Sequence, residues 1–334
     1  MTVATTAGLA LVCPRCRAPL SRDDEGYRCA TCAQRYPVVA GIPDCRVLPD
    51  PWISIPDDRA KARRVEARTT GADFPTAVRA YWEITPETPD ERKEHFIRAV
   101  LDGERLAAEW LDGLAPAVRP GDRWLDLGCG TGNLLAAADV RGIEAVGLDI
   151  ALRWLVVARH RPGLADGRRL VCGDAAHLPF PEAAFAQVTA LGVLEHCADL
   201  ESVLAESARV LRPGGWFRAR TANRYSLLPE PHVGLWGASY LPQPWADRYV
   251  RWRTGQRYLH HHPRSARALA AAFRRSGFQD VRVVAARTLT TDQDRLGPLG
   301  RRAVPAYERA RTALGVRRVV RAVAPFLDVE AMRP

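Results

Sequence analysis

The sequence predicts an α/β protein: a Rossmann-like, doubly wound sheet, mostly parallel with its last strand antiparallel, preceded by a small metal-binding ribbon and carrying an inserted lid. Three observations carry that prediction. At residues 124–135 an apolar run leads through three glycines into a helix-like stretch (Trp-Leu-Asp-Leu-Gly-Cys-Gly-Thr-Gly-Asn-Leu-Leu). Two later strand-like runs, Glu144-Ala-Val-Gly-Leu and Arg169-Leu-Val-Cys-Gly, each end in a carboxylate, Asp149 and Asp174. Near the start, Cys13, Cys16, Cys29 and Cys32 form two Cys-x2-Cys pairs.

The turn signal Pro120-Gly121-Asp122 bounds the first run, and its short apolar character suits a buried parallel strand. Gly128, Gly130 and Gly132 then let the chain turn sharply and leave bare backbone at a helix start, where a ligand can approach closely. Asp149, about twenty residues on, stands where an acid of a doubly wound sheet accepts ribose hydroxyls. Asp126, Asp149 and Asp174 mark successive strand ends, the edge at which open α/β sheets bind ligands.

These residues resemble a class I S-adenosylmethionine-dependent methyltransferase over roughly residues 104–290. Leu-Pro-Phe at 178–180, Val-Leu-Glu-His at 193–196 and Leu-Arg-Pro-Gly-Gly at 211–215 follow in the family's order. The resemblance implies that Asp126, Gly128, Gly130 and Gly132 face the methionine moiety. It puts Asp149 with Ile150 at the ribose, and Asp174, Ala175 and Leu191 at the adenine. A nicotinamide enzyme fits less well, because its third glycine falls three residues after the second, where this chain has Asn133. The Asn/Asp-Pro-Pro-Tyr tetrad of amide and adenine methylating relatives is replaced by Thr189-Ala190-Leu191-Gly192.

Composition bounds the rest. With 334 residues, 47% hydrophobic and 26% charged, the chain has the make-up of an ordinary globular protein of about two domains. No apolar run approaches a membrane span, and residues 5–12 lack a basic lead, so a cytoplasmic protein without a membrane partner is expected. The net charge of +10 invites RNA as a partner, yet Lys61 and Lys93 are the only lysines among 48 basic residues and the arginines are dispersed.

In chain order, four thiolates on two knuckles can close a tetrahedral structural Zn2+ site with no open position. Such binding is worth on the order of 10–16 kcal/mol, enough to fold a ribbon too small for its own core. The flanks resemble zinc ribbons of methyltransferase activator subunits and of zinc-ribbon ribosomal RNA guanine methyltransferases. Cys45 reads as a buried small residue outside the set. The expected domains are a zinc ribbon at 1–48, a linker and helical cap at 49–118, and the methyltransferase domain at 119–334. That last domain holds a lid insertion at 221–262 and a helical insertion at 298–324. Prolines mark residues 46–56 as linker, and residues 57–68 read as a charged helix with a solvated face. Gly103 suggests a break in the helical stretch that follows.

Candidate catalytic residues lie late in the chain. Glu195-His196 stands after the fourth strand, at the expected start of a helix, where His196 is either a base or a structural group. The stretch 223–232 leaves the fifth strand and gathers an amide, a guanidinium, a carboxylate and an imidazole, from which Glu230 and His232 are the candidates to orient or deprotonate an acceptor. Trp245, Tyr249 and Trp252 repeat on one helix face and are expected to pack the lid inward. His260-His261-His262 reads as a solvated turn, since adjacent side chains diverge. The expected activity is methylation of oxygen or nitrogen of a small-molecule metabolite. An RNA base methyltransferase and a cofactor-binding pseudoenzyme scaffold are the alternatives.

Overall fold

The chain is described by a computed structural model that covers every residue except 1, 4, 7, 87, 115–120 and 295. The expected 118/119 boundary and Pro120 of the turn signal therefore lie outside the described residues. Three two-residue strands open the chain (β1 Thr2–Val3, β2 Thr5–Thr6, β3 Leu9–Ala10), followed by the ribbon strands β4 (Leu20–Asp23), β5 (Gly26–Cys29), β6 (Arg35–Val39) and β7 (Ile42–Pro43). β1, β4, β5, β6 and β7 form one small sheet in that order.

Four helices come next: α1 (Ile55–Thr69), α2 (Phe74–Glu83), α3 (Asp90–Leu101) and α4 (Gly103–Asp112). Ser54 caps α1 by accepting from the Asp57 amide, and Asp73 caps α2 by accepting from that of Thr76. α3 ends where Gly103 begins the next helix, as the sequence suggested.

The alternating part runs β8 (Arg123–Leu127), α5 (Asn133–Asp139), β9 (Glu144–Asp149), α6 (Leu152–Ala158), β10 (Leu170–Cys172), β11 (Phe185–Leu191), α7 (Leu200–Val210) and β12 (Leu211–Ala222). After these come α8 (Gln243–Thr254), α9 (Ala266–Arg275), β13 (Gln279–Ala285), α10 (Thr290–Asp294), α11 (Pro298–Thr312), α12 (Arg317–Val323) and β14 (Phe326–Met332). The large sheet has seven strands in the order β10-β9-β8-β11-β12-β14-β13. β8, β9 and β10 pair in parallel, whereas β14 is antiparallel to both β12 and β13. The doubly wound sheet with an antiparallel last strand is thus present. Strand order reverses direction after β8, which makes the end of β8 the topological switch point.

Two compact units divide the chain, one of residues 1–188 and 209–212, the other of 189–208 and 213–334. Within the first, the ribbon continues to the outer edge of the large sheet: Asp44 bridges Cys172 in parallel and the Cys45 amide donates to the Cys172 carbonyl at 2.7 Å. An edge strand is covered in this way instead of being left open to pairing.

Several expected assignments change. The segment at 46–56 is not a free linker, because the Arg46 side chain is fully buried. Its guanidinium grips Asp44 through Nε and Nη2, both at 2.8 Å, and Asp58 through Nη1 at 2.6 Å. Asp58 also accepts from the Leu152 amide at 2.9 Å and from Arg153 at 2.8 Å, and Arg153 reaches Asp50. α1 consequently hides part of its charge: Asp58 and Lys61 are buried, the latter's ammonium lying over the Tyr81 ring. Alternating charge looks solvated in sequence; here a long-range ionic partner overrides it. Tyr81 and Trp82 pack with Trp154 as core.

Glu195 and His196 do not open a long helix but occupy a separate 3-10 turn, Leu194–His196, ahead of α7. On α8 the buried face is Ala246 and Val250, packed with Ala238 and Tyr258; of the expected stripe Tyr249 packs half-buried against this cluster, while Trp245 and Trp252 are 62% and 75% exposed. Small residues on that face allow closer packing than the aromatic stripe would. The basic terminal stretch forms two helices, α11 and α12, with no buried residues among those described.

Removing one partner of a buried ionic network leaves uncompensated charge behind. Asp58→Ala should therefore lower unfolding free energy by about 3–5 kcal/mol in urea titration. A loss below about 1 kcal/mol would show that the network is not what holds this unit together.

Candidate functional site

The residues expected to hold a nucleoside, Leu191 apart, lie in the first unit. β8 carries the chain, buried from Trp124 to Leu127, to Gly128, Gly130 and Gly132, all in the left-handed region (φ 71°, 51° and 76°). Any other residue would be strained there. At Gly132 a Cβ would also come within 2.9 Å of Leu164 Cδ1. The amides of Gly128 and Cys129 donate to the Leu148 carbonyl at 2.7 and 3.0 Å, tying the turn to β9. Gly147 on β9 is part of the same device: a Cβ there would meet Cys129 Sγ at 2.6 Å and Leu135 Cδ1 at 2.7 Å. Gly147 lies outside the glycine motif, and its signal in the sequence is only that of a glycine inside a strand, which marks such close approach.

Asp149 ends β9 with its carboxylate fixed by two backbone donors. Oδ2 accepts from the Gly130 amide and Oδ1 from the Ala151 amide, each at 2.8 Å. Each oxygen keeps a second lone pair for a ligand hydroxyl. Burial raises the Asp149 pKa, and the two backbone amides only partly offset that. Ile150 beside it presents its carbonyl to Arg46 Nη1 at 3.1 Å, so the buried ionic network reaches the acid's own loop. Asp126 is buried in β8. Asp174, also buried, accepts from the Ala176 amide at Oδ1 and meets His177 Nδ1 at Oδ2, both at 2.9 Å, with Ala175 half-buried between them. Leu191 falls at the end of β11 in the second unit.

In the ribbon the four cysteine sulfurs lie within 4.8 Å of one another as free thiols, Cys13 to Cys32 at 3.5 Å and Cys16 to Cys29 at 3.4 Å. Four sulfurs at 2.3 Å from a tetrahedral ion would stand about 3.8 Å apart, so the set could hold zinc with small adjustments. Arg17 and Ala33, just after each pair, take the left-handed conformation that turns the knuckles. Tyr36 Oη lies 3.2 Å from Cys13 Sγ. Cys45 is buried and is not a member of this set, as expected.

The candidate catalytic residues all lie in the second unit. Glu230 is buried; its Oε1 faces His232 Nδ1 at 2.6 Å, and its Oε2 accepts from the amides of His232 and Val233. His196 lies close by, its ring centroid 4.8 Å from that of His232. His261 completes the group, 5.1 Å from His196 and 4.6 Å from His232. The expected solvated turn at 260–262 is thus corrected: His261 is buried and stacked on Tyr258 at 4.7 Å. Desolvation by the groups packed around its ring lowers the pKa of His196, although the residue keeps an exposed side, against the pull of Glu195. In His232 burial also opposes the charged form, but Glu230 outweighs it and raises the pKa. Burial and the neighbouring imidazoles push His261 down to about 3. The amide of Asn223 is taken up within the fold, donating to the Ala322 and Ala324 carbonyls at the end of α12. A cavity of about 420 Å³ opens beside His261, lined also by Arg224, Ser239, Gln243, Tyr258 and Arg264.

A sheet with its switch point at a three-glycine turn, and an acid clamped beside it, is the arrangement by which open α/β sheets bind nucleosides. The comparisons make that class specific. Residues 125–219 match the family described as "Methyltransferase domain". A ubiquinone biosynthesis O-methyltransferase of Paracidovorax citrulli is 33% identical over 46% of this chain and 61% of its own length. The 27-O-demethylrifamycin SV methyltransferase of Amycolatopsis mediterranei is 40% identical over 40% and 47% respectively. The demethylmenaquinone methyltransferase of Symbiobacterium thermophilum is 38% identical over 42% and 63%. This chain thus spans from about half to just under two thirds of the length of these curated relatives. An S-adenosylmethionine-dependent methyltransferase from Mesorhizobium loti is similar in structure, with a TM-score of 0.47 and 22% identity over 69% of this chain and all of that one.

An acid whose pKa is raised loses its charge at a higher pH than an ordinary carboxylate. Affinity for S-adenosylhomocysteine should therefore fall on acidification before the usual carboxylate range near pH 4 is reached. Asp149→Asn should bind more weakly and lack that dependence in calorimetric titrations. Parallel pH curves for the two proteins would remove Asp149 from the nucleoside.

Proposed function

We propose that the protein transfers the methyl group of S-adenosylmethionine to oxygen or nitrogen of a small-molecule metabolite or biosynthetic intermediate. One observation carries the reading: the Asp149 carboxylate held by the Gly130 and Ala151 amides beside three left-handed glycines. On this reading Asp126, Gly128, Gly130 and Gly132 surround the methionine end. Asp149 and Ile150 take the ribose, and Asp174, Ala175 and Leu191 take the adenine. The bound cofactor supplies the electrophilic methyl; the protein has to bind it, align an acceptor lone pair and exclude water.

The acceptor's proton is assigned to the second unit. With the Nδ1 proton of His232 directed at Glu230, Nε2 is the atom free to take a proton, and His196 stands next to it. An oxygen acceptor agrees with the name of the ubiquinone-biosynthesis relative, an O-methyltransferase. We assign the four ribbon cysteines to a structural Zn2+ and keep the ribbon at 1–48, the helical cap at 49–118 and the lid at 221–262 as the working division. A cytoplasmic location fits eight free thiols, and among the described residues no helix is long and apolar enough to cross a membrane.

Transfer of labelled methyl from the cofactor should appear in a small-molecule extract of the host. Label in RNA instead would favour the RNA reading, which the exposed arginines of α11 and α12 motivate. Cofactor binding with label in neither would favour the scaffold. With an acceptor in hand, His232→Ala should lower kcat by about 10²–10⁴-fold and leave cofactor affinity intact, the span usual for a lost general base. Equal kcat would return His232 to a structural role. Chelation of zinc should lower the thermal midpoint of the intact chain by melting the ribbon; an unchanged midpoint in metal-depleted protein would argue against a metal there.

A further inference from the structure

His196, His232 and His261 come from three separate segments: the turn after β11, the loop after β12 and the stretch before α9. Each offers a ring nitrogen, and the three nitrogens lie within 4.8 Å of one another. Imidazole nitrogens around a tetrahedral ion at 2.0–2.1 Å stand about 3.4 Å apart, so closure requires only small side-chain rotations.

The surroundings are those of a ligand set. Metal-binding histidines direct their second ring nitrogen to a carboxylate or a backbone carbonyl, which fixes the tautomer. His232 Nδ1 meets Glu230 Oε1 at 2.6 Å, and His196 Nδ1 meets the His260 carbonyl at 3.3 Å; in both, Nε2 keeps its lone pair. Tyr258 stacks on His261 with only 3° between the planes and fixes that ring. Two buried carboxylates, Glu195 and Glu230, supply negative charge against a divalent cation. Glu195 is held in place by Thr221 Oγ1 at 2.7 Å. Burial is graded across the trio: His261 is buried, His232 half-buried and His196 exposed. One side of the group therefore stays open, as in metal sites that keep a position for water or substrate.

We propose that His196, His232 and His261 bind a divalent transition-metal ion, zinc by the preference of an all-imidazole set, with its open position available to an oxygen of the methyl acceptor. A hydroxyl on such an ion ionises near neutral pH; with the ion bound, His232 Nε2 is a ligand and not a base, and the base role given to it under the methyl-transfer reading belongs to the metal-free protein. Only the role at the acceptor rests on the methyl-transfer reading. Ion binding rests on the three imidazoles and their partners alone.

The test counts metal in the full-length chain. Metal-depleted protein is titrated with zinc, and bound metal is measured after gel filtration. The parent chain should hold two equivalents, one on the four ribbon thiolates and one on the histidines. His261→Ala and, at an exposed position that is safe for folding, His196→Ala should each hold one. Cobalt(II) provides an independent readout: thiolate charge-transfer absorption persists in all three proteins, while a weaker visible band without thiolate character is lost in both variants. A parent chain that holds one equivalent, or variants that keep both equivalents and the visible band, would overturn the proposal. Titration of the two-metal parent with S-adenosylhomocysteine separates the readings. Absence of binding there would remove methyl transfer and leave the metal site standing.

Discussion

The interaction on which most of the first unit depends is the contact of Arg46 with Asp44, Asp58 and the Ile150 carbonyl. One guanidinium joins the end of the ribbon, the first helix and the loop behind Asp149. Burying such a group is costly, and only a full set of partners makes it tolerable. Asp44 answers with both oxygens, and Arg59 and Arg153 extend the set on either side. Every member is paired, so the network specifies one arrangement where an apolar contact would have admitted several. The ribbon is thereby held to the sheet by charge geometry as well as by the strand pairing of Asp44 and Cys172.

That arrangement bears directly on Asp149. Its two backbone donors come from Gly130, on the glycine turn, and Ala151, one residue before α6. The first is placed by β8 and the Leu148 carbonyl, the second by the loop that Arg46 and Asp58 grip. A ligand meeting this carboxylate finds it already oriented, so little ordering entropy remains for binding to oppose. The glycines contribute in a different way. Gly132 and Gly147 are needed because a methyl group would strike Leu164 in one case and Cys129 in the other. The turn is therefore fixed from both sides, by what donates to it and by what fills the space around it.

How much of this was legible in the sequence follows from the range of the forces involved. Residues 124–149 could be read because their signals are local: an apolar run, glycines at a turn, an acid at a strand end. The clustering of the four cysteines was legible for the same reason, since the Cys-x2-Cys spacing within each pair is a local matter. The Arg46 network was not, because its partners at 44, 58 and 153 are ordinary charged residues whose meeting depends on the tertiary fold. Periodicity also misled on α8. An aromatic stripe and an Ala246–Val250 face occur on the same helix, and hydrophobicity alone favours the aromatics. In the folded chain Ala246 and Val250 are buried with Tyr258 and Ala238, Tyr249 packs half-buried beside them, and the two tryptophans of the stripe stay exposed.

The histidines show the same rule at the second site. His260, His261 and His262 diverge, so at most one of three consecutive side chains can point inward, and a sequence does not show which. What selects His261 is the stack on Tyr258 together with the space between His196 and His232. His262 is used otherwise, its amide donating to the Glu195 carbonyl. Divergence was sound evidence against three adjacent ligands, and it carries no weight against one ligand drawn from the three. A motif that looks weak as a contiguous run can therefore supply one member of a cluster whose other members lie far away in sequence, and only the folded chain brings that cluster together.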